Sequence, residues 1–127
     1  MKKDNPDNAG KYSYDNLTRV IHEKARLGII TSLISNRTGL SFNDLKDLCS
    51  LSDGNLSRHM LALENSGLIE VNKGFEGKKP RTVYRITKKG ESEFLKYLNE
   101  LEQIVLDAHK ALDKNVKNEG KIKFRDA

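Results

Sequence analysis

The stretch from Ser41 to Gly67 reads SFNDLKDLCSLSDGNLSRHMLALENSG and contains two helix starts separated by a short turn. Ser41 followed by Asp44 is a capping-box pattern just ahead of an apolar run. Ser52 is suited to begin a second helix, with Asp53 in the first turn, where the helix dipole favours an acid. Gly67 is suited to end that helix in a left-handed conformation. Two short helices joined by a tight turn indicate a helix-turn-helix.

Apolar residues recur at helical spacing in both helices, so each helix is predicted to bury one face. The inward-facing residues are predicted to be Phe42, Leu45 and Leu48 in the first helix, and Leu56, Met60 and Leu63 in the second. The opposite face of the second helix carries small and polar residues, namely Asn55, Ser57, Arg58 and Ala62. This is the composition of a helix that presents one side to a partner.

Length and composition predict a single globular domain in a reducing compartment. The chain has 127 residues, of which 36% are hydrophobic and 32% charged, so its core is modest. No apolar run is long enough to span a bilayer, and the first residues lack the apolar centre of a signal peptide. The single cysteine, Cys49, excludes an intrachain disulfide. We therefore expect a cytoplasmic protein with no membrane partner.

The net charge of +5 is distributed unevenly. Residues 73–89 contain seven basic residues and one acid, whereas residues 91–114 contain six acids and three lysines. A basic stripe beside an acidic helix predicts that one edge of the protein faces a polyanion.

The segments before the helix-turn-helix are predicted to be a tail and two helices. Residues 1–13 are polar and are predicted to form a disordered tail. Asp15 can cap a first helix, whose apolar side holds Leu17, Val20 and Ile21. A second helix, ending near Asn36, is predicted from the spacing of Leu27, Ile30, Leu33 and Ile34.

A hairpin is predicted directly after the second helix of the motif. Residues 68–71 and 83–86 read as short strands, and residues 72–81 form a basic loop with two glycines and a proline. A hairpin in this place is a wing, which can lie along a phosphate backbone or in a minor groove. Phe75 is expected to pack at the base of the wing.

The remainder of the chain predicts a long helix and a tail. Thr87 can cap a helix that continues to about Lys114, and residues 115–127 lack periodicity, as in a basic mobile tail. The helix carries an unbroken heptad seam, formed by Phe94, Leu98, Leu101, Val105, Ala108 and Leu112. We expect two chains to pair through this seam, assisted by Leu17 and Ile21. The alternative is that the helix folds back on its own domain.

Taken in order, five segments resemble the small winged-helix transcriptional regulators of the MarR/ArsR type. The segments are ARLGII at 25–30, FNDL at 42–45, DGNLSRHM at 53–60, LENSGLI at 63–69 and RTVYRITKKG at 81–90. The resemblance covers residues 15–113. It implies a mainly α fold with a small β hairpin, in which residues 14–90 bind DNA and residues 91–114 dimerise.

Two departures from the ArsR type predict that no metal and no cofactor is bound. Some ArsR-type sensors bind metal through paired cysteines just before the second helix of the motif, where this chain has only Cys49. Others use an Asp-x-His pair on the last helix with further His or Glu ligands about a dozen residues downstream. Asp107 and His109 match the first pair, but the only downstream candidate is Glu119. The chain also leaves little room for the effector pocket of longer MarR-type members, and no effector is identified.

The candidate DNA-binding residues fall into two groups. On the helix, Arg58 and Asn55 are suited to guanine and adenine in the major groove, Ser57 to a phosphate, and Gly54 to close backbone approach. On the wing, the candidates for phosphate or minor-groove contact are Lys78, Lys79 and Arg81. The alternative for both groups is an ordinary solvated surface.

The sequence contains no Ser-His-Asp, HExxH or phosphate-loop pattern, so an enzyme is the least favoured class. Cys49 could act as a redox switch, although a small buried hydrophobe is the simpler interpretation. The leading hypothesis is a homodimeric repressor that binds double-stranded DNA at a pseudo-palindromic operator. The alternative is a winged-helix module that binds proteins.

Overall fold

The computed structural model describes residues 9–122 of the chain, with side chains through residue 116. It contains α1 (Lys24–Ser35), α2 (Phe42–Cys49), α3 (Asp53–Asn65), β1 (Ile69–Glu76), β2 (Lys79–Ile86) and α4 (Lys88–Ile122). Helices α2 and α3 form the predicted helix-turn-helix, and β1 and β2 pair antiparallel as the predicted hairpin. The fold is therefore a winged helix-turn-helix with a long C-terminal helix. The predictions for residues 1–8 and 123–127 fall outside the described residues.

Local hydrogen bonds define the helix-turn-helix as the sequence predicts. The Ser41 hydroxyl accepts from the Asp44 N–H at 3.1 Å, and the Asp44 carboxylate accepts from the Ser41 N–H at 3.1 Å, which completes a capping box. The Ser52 hydroxyl accepts from the Asn55 N–H at 3.2 Å and so caps α3. After α3, Gly67 has a φ of 77°, in the left-handed region that ends helices.

One hydrophobic core joins the three short helices, the base of the hairpin and the first turns of α4. Its buried members are Ile21, Ile29, Ile30, Leu33, Leu40, Leu45, Leu56, Met60, Leu63, Leu68, Ile69, Phe94 and Tyr97. No helix among the described residues is long and apolar enough to cross a membrane.

The prediction that Leu48 is buried is wrong. Leu45 is fully buried, but Leu48 is 60% exposed. At about 100° per residue, Leu48 lies roughly 120° around the helix from Phe42. Cys49, seven residues after Phe42, returns to the inward face and packs against the core instead.

The predicted first helix is also wrong. The segment before α1 is a series of turns, in which the Leu17 N–H donates to the Tyr14 carbonyl at 3.0 Å and the Ile21 N–H donates to the Thr18 carbonyl at 3.1 Å. Thr18, Val20 and Ile21 are β-branched, which lowers their preference for helix. Ile21 is only 1% exposed and Leu17 packs against the core, so Ile21 is not available for dimerisation as predicted.

The hairpin has longer strands and a shorter loop than predicted. Strand pairing runs from Ile69 with Ile86 to Glu76 with Lys79, which leaves only Gly77 and Lys78 as the turn. Gly77 has a φ of 64°, and a glycine at the first turn position suits a two-residue hairpin loop. Phe75 is 75% exposed near this tip, so the prediction that it packs at the base is wrong.

Helix α4 begins as predicted but extends further. The Thr87 hydroxyl accepts from the Gly90 N–H at 2.9 Å and so caps the helix. The helix ends at Ile122, beyond the predicted end at Lys114, because residues 115–122 contain no proline and extending an existing helix is easier than starting one. The part of the predicted tail between 115 and 122 is thus helical.

The first turns of α4 fold back on their own domain, which corrects part of the predicted seam. Phe94 is 6% exposed and stacks on Tyr97, with ring centroids 5.9 Å apart, so Phe94 cannot join a dimer contact. Leu101 packs partly against the same core. Beyond Leu101, α4 no longer packs against the core, and Val105 and Leu112 are largely exposed.

The segment before α1 lies along α4. The Tyr14 hydroxyl donates to the Asp107 carboxylate at 2.7 Å, and the Asn16 N–H donates to the Glu100 carboxylate at 3.0 Å. His22 Nδ1 and the Tyr97 hydroxyl lie 2.8 Å apart. The hydrogen bond to Asp107 raises the pKa of Tyr14 to about 12. These contacts tie the direction of α4 to the segment that leads into α1.

Candidate nucleic-acid interface

The exposed face of α3 is held outward by the burial of its opposite face. Leu56, Met60 and Leu63 anchor the helix in the core, so Gly54, Asn55, Ser57 and Arg58 are all solvent-exposed. Arg58 Nη2 donates to Asn55 Oδ1 at 3.1 Å, so the two predicted base-reading side chains meet. In this pair the remaining guanidinium N–H groups of Arg58 and the amide NH₂ of Asn55 are free to donate to a ligand.

The start of α3 combines a helix N-terminus with a neighbouring cation. Lys46 Nζ lies 2.8 Å from Asp53 Oδ1, which joins α2 to the first turn of α3. The hydrogen bond to Asp53 raises the pKa of Lys46. The first N–H groups of a helix attract anions, and at this end of α3 the Asp53 carboxylate takes that position and pairs with Lys46.

A buried histidine connects α3 to the start of α1. His59 is 4% exposed; Arg26 Nε donates to its Nδ1 at 3.1 Å, and its Nε2 lies 3.5 Å from the Glu23 carboxylate. Burial lowers the pKa of His59, and the nearby Arg26 and Arg58 lower it further against the opposing effect of Glu23. His59 is therefore neutral at pH 7, accepting at Nδ1 and carrying its proton on Nε2.

Glu23 has two functions in this connection. Its carboxylate accepts from the backbone N–H groups of Ala25 at 2.6 Å and Arg26 at 3.1 Å, which caps α1. Burial acts to raise its pKa, but these two hydrogen bonds together with the nearby charge of Arg26 and the interaction with His59 lower the pKa overall. The ionised Glu23 thus fixes both the start of α1 and the orientation of His59. The sequence pattern did not indicate these two partners of His59.

The predicted wing residues Lys78, Lys79 and Arg81 are all exposed on the hairpin. Arg81 Nη1 lies 3.3 Å from Glu76 Oε1, so Arg81 is partly neutralised within the wing. Lys79 stands opposite Glu76 in the strand pairing, on the same face of the hairpin as Arg81. The wing therefore presents positive charge at its tip and along one face.

Three further residues near this surface were not among the predicted contact residues, although Lys73 and Arg85 belong to the basic stripe of residues 73–89. Lys73 lies across a groove from Ser57 and Leu61, between α3 and the hairpin. Arg85 lies on the hairpin face opposite to Lys73, the face that also carries Lys79 and Arg81. Its guanidinium donates to Asn72 Oδ1 at 2.8 Å. Leu61 is 58% exposed on α3. The helical spacing from Arg58 to Leu61 was visible in the sequence and could have identified it.

Asp107, the first residue of the candidate Asp-x-His metal pair, is engaged in other contacts. The Asp107 carboxylate accepts hydrogen bonds from Tyr14 at 2.7 Å and from Gln103 at 3.0 Å, which lower its pKa. Among the side chains that the structure describes, no three His, Cys, Asp or Glu residues cluster as metal ligands. Cys49 is half-buried, with its Sγ 3.7 Å from the Ser32 hydroxyl on α1.

Comparison with known proteins identifies the family to which this fold belongs. Residues 25–105 match the winged helix DNA-binding domain, a span that includes α1 to β2 and the first half of α4. An uncharacterized protein of Methanocaldococcus jannaschii is 35% identical over 75 residues, which cover 59% of this chain and 82% of that protein.

Two solved structures are similar over most of the chain. A transcriptional regulator homologue from Pyrococcus horikoshii OT3 is 27% identical with a TM-score of 0.70, and the match covers 77% of this chain and 97% of the other. A protein assigned to the MarR family, from Enterococcus faecalis V583, is 17% identical with a TM-score of 0.59, covering 92% and 96%. At this identity, the similarity to the Enterococcus faecalis protein is a similarity of fold.

Proposed function

This chain belongs to the family of winged helix DNA-binding domains, and from that premise we propose that it is a sequence-specific repressor acting as a homodimer on a pseudo-palindromic operator. The coarser part of this statement, a DNA-binding transcriptional regulator with the MarR-type fold, follows from the family and the regulator homologue in Pyrococcus horikoshii. The proposal assigns no catalytic activity to the protein. It locates the protein in the cytoplasm, where it would have access to the chromosome.

The observation that carries the proposal is the paired Asn55 and Arg58 on the exposed face of α3. Both side chains are of the kinds that read base edges through two hydrogen bonds, Arg at guanine and Asn at adenine. Their 3.1 Å contact places the two groups side by side at one place on the helix. A helix whose other face is buried can enter a major groove with these two side chains directed at the base edges.

The charge of the hairpin supports DNA rather than a protein as the partner. Residues 73–89 carry a net charge of +6, and the wing residues Lys78, Lys79 and Arg81 are exposed. Each lysine or arginine that neutralises a phosphate releases a counterion, so binding weakens with salt. A wing beside a helix in the major groove can contact the flanking backbone or minor groove.

The homodimer is supported by the exposed apolar surface on α4. Val105 and Leu112 are 48% and 62% exposed, on the part of the helix that follows the last core contact at Leu101. Fully burying a large apolar side chain contributes about 1.5–3 kcal/mol, and Val105 and Leu112 have roughly half of that left to gain, so a second copy of the helix is a favourable partner. Two-fold pairing of this kind places two α3 helices roughly 34 Å apart, one turn of DNA. Repression then follows from covering a promoter.

Selection of bound DNA from a random duplex pool tests the proposal. We expect an enriched, pseudo-palindromic sequence, bound with an affinity that falls steeply between two salt concentrations. Arg58→Ala should weaken binding to the enriched sequence by about 1–3 kcal/mol, with a smaller loss on random DNA. Lys110→Ala, which removes one charge from the exposed surface of α4, is the control.

Two outcomes would count against the proposal. Equal losses on enriched and random DNA would mean that Arg58 contacts phosphate rather than a base. An absence of any enriched sequence, with salt-insensitive weak binding, would favour the alternative that the domain binds a protein.

A further inference from the structure

Leu61 is an exposed leucine in the middle of the surface that the proposed function directs at DNA. It is 58% exposed, whereas the other large apolar residues of α3, Leu56, Met60 and Leu63, are 4% exposed or less. Leu61 therefore does not contribute to the core in the way its neighbours do.

Helical geometry places Leu61 in line with the candidate contact residues. Arg58 follows Gly54 by four residues and Leu61 follows Arg58 by three, so the three share one stripe of α3. At about 100° per residue, this stripe points away from the buried face that holds Leu56 and Leu63. Leu61 is thus closer to the middle of the exposed face than Asn55 or Ser57.

The surroundings of Leu61 favour a nucleic acid over bulk solvent. Ser57 and Lys73 line the same groove between α3 and the hairpin, and both offer donors to a phosphate backbone, whereas Glu64 adds one carboxylate to the groove. Phe42 and Val71, both half-buried, form part of the groove beside them. An apolar side chain flanked by donors matches a DNA groove, in which phosphates border the base edges.

The chemistry of the major groove identifies the group that Leu61 would contact. A leucine side chain cannot hydrogen-bond a base edge or a phosphate, and the apolar group that base pairs present in the major groove is the thymine methyl. Along the helix axis, Leu61 lies roughly 4.5 Å beyond Arg58, and base pairs are spaced by about 3.4 Å. We propose that Leu61 reads a thymine methyl group one or two base pairs from the base that Arg58 contacts. This inference rests on the proposed function.

Deoxyuridine substitution in the enriched DNA tests the inference, because deoxyuridine lacks only the methyl group of thymidine. The wild-type protein should lose about three- to tenfold in affinity when one thymine in each half-site is replaced. Leu61→Ala should bind the thymine site more weakly and should show no further loss on replacement. Leu61→Met, which keeps an apolar side chain of similar size, should retain the sensitivity.

Leu95→Ala is the matched control, since Leu95 is 59% exposed on α4 and should keep full sensitivity to deoxyuridine. Thermal unfolding of each variant separates lost contact from lost folding. An unchanged deoxyuridine effect in Leu61→Ala would overturn the inference, and so would an enriched site with no thymine within two base pairs of the Arg58 contact. Failure of the proposed function is distinct, since no sequence would then be enriched.

Discussion

At the level of single residues, the first turn of α3 combines good helix capping with one residue that weakens the helix. Ser52 caps the helix and Asp53 is an acid in the first turn, both of which stabilise it. Gly54 follows, although a Cβ at this position would meet no atom within 4 Å and its φ is not left-handed. Neither sterics nor backbone conformation requires glycine here. Close approach of the helix to a DNA backbone would explain it.

Gly54→Ala should separate stability from DNA binding. Alanine is favoured over glycine in helices by up to about 1 kcal/mol, so the free energy of unfolding should rise by a few tenths to 1 kcal/mol in urea titrations. DNA affinity should fall, because the added methyl group keeps the helix from the backbone. Thr31→Ala, at an exposed position of α1, should raise stability in a similar way and leave DNA affinity unchanged. Equal DNA affinity for Gly54→Ala and wild type would contradict a contact at Gly54.

His59 should make the stability of the fold depend on pH. Burial lowers the pKa of His59 in the folded chain below its usual value near 6.5, so the unfolded chain binds more protons as the pH falls. The stabilisation is therefore complete above about pH 6.5 and is lost as the pH falls towards the folded-state pKa. Urea unfolding between pH 8 and pH 5 should show this loss, and His59→Gln should reduce its slope. The same slope in both proteins would rule out His59 as the source.

At the level of secondary structure, the helix-turn-helix was predictable because its signals are local. The capping box of Ser41 and Asp44, the cap at Ser52 and the left-handed Gly67 each act within a few residues of where they occur in the sequence. The segment before α1 was not predictable in this way. The spacing of its apolar residues fits a helix, but its conformation depends on Tyr14 meeting Asp107, 93 residues away.

The difference between local signals and distant contacts also explains which features of the hairpin and of the candidate contact residues were predictable. A basic loop after α3 was visible in the sequence, but the two-residue turn at Gly77 depends on pairing between β1 and β2. Arg58 and Asn55 could be selected by spacing and side-chain type. The pairing of Arg81 with Glu76 and the position of Lys73 across from Ser57 required the hairpin geometry.

Lys79→Ala tests the wing as an element that contacts phosphate. Arg81 already pairs with Glu76, whereas Lys79 is exposed near the tip of the hairpin, so Lys79 is the clearer probe. The variant should bind enriched and random DNA more weakly by similar factors, and the slope of log affinity against log salt should become shallower by about one unit. Lys96→Ala, on α4 beside Glu93, is the control. A loss confined to the enriched sequence would mean that Lys79 reads bases.

At the level of the whole molecule, α4 has two parts with different surroundings. Phe94 and Tyr97 complete the core, and the bond from Tyr14 to Asp107 holds the next turns against the segment before α1. Beyond Leu101, the last described α4 residue that packs against the core, apolar side chains remain exposed at Leu106, Leu112 and Val116 among others. The heptad pattern in the sequence could not distinguish these two parts, because Phe94 and Leu112 are both positions of the same repeat. Only the packing of α4 on its own domain distinguishes them.

This division sharpens the test of the homodimer. Leu101 is partly packed in the core, so a charge there would confound unfolding with dissociation. Val105→Glu with Leu112→Glu places two charges on the exposed part of the stripe, where a second α4 is expected to pack. This variant should stay folded, sediment as a monomer at micromolar concentration and bind the enriched DNA far more weakly, because one molecule can occupy only one half-site.

Ala111→Glu supplies the control, since it adds a charge next to Leu112 but about 100° around the helix, off the stripe. It should sediment as a dimer and bind DNA like the wild type. If pairing through the stripe sets the spacing of the two α3 helices, inserting five base pairs between half-sites should weaken wild-type binding, because the second half-site then faces the opposite side of the duplex. The monomeric variant should not respond to that insertion. A wild-type chain that sediments as a monomer at micromolar concentration would contradict both the dimer and the pseudo-palindromic operator.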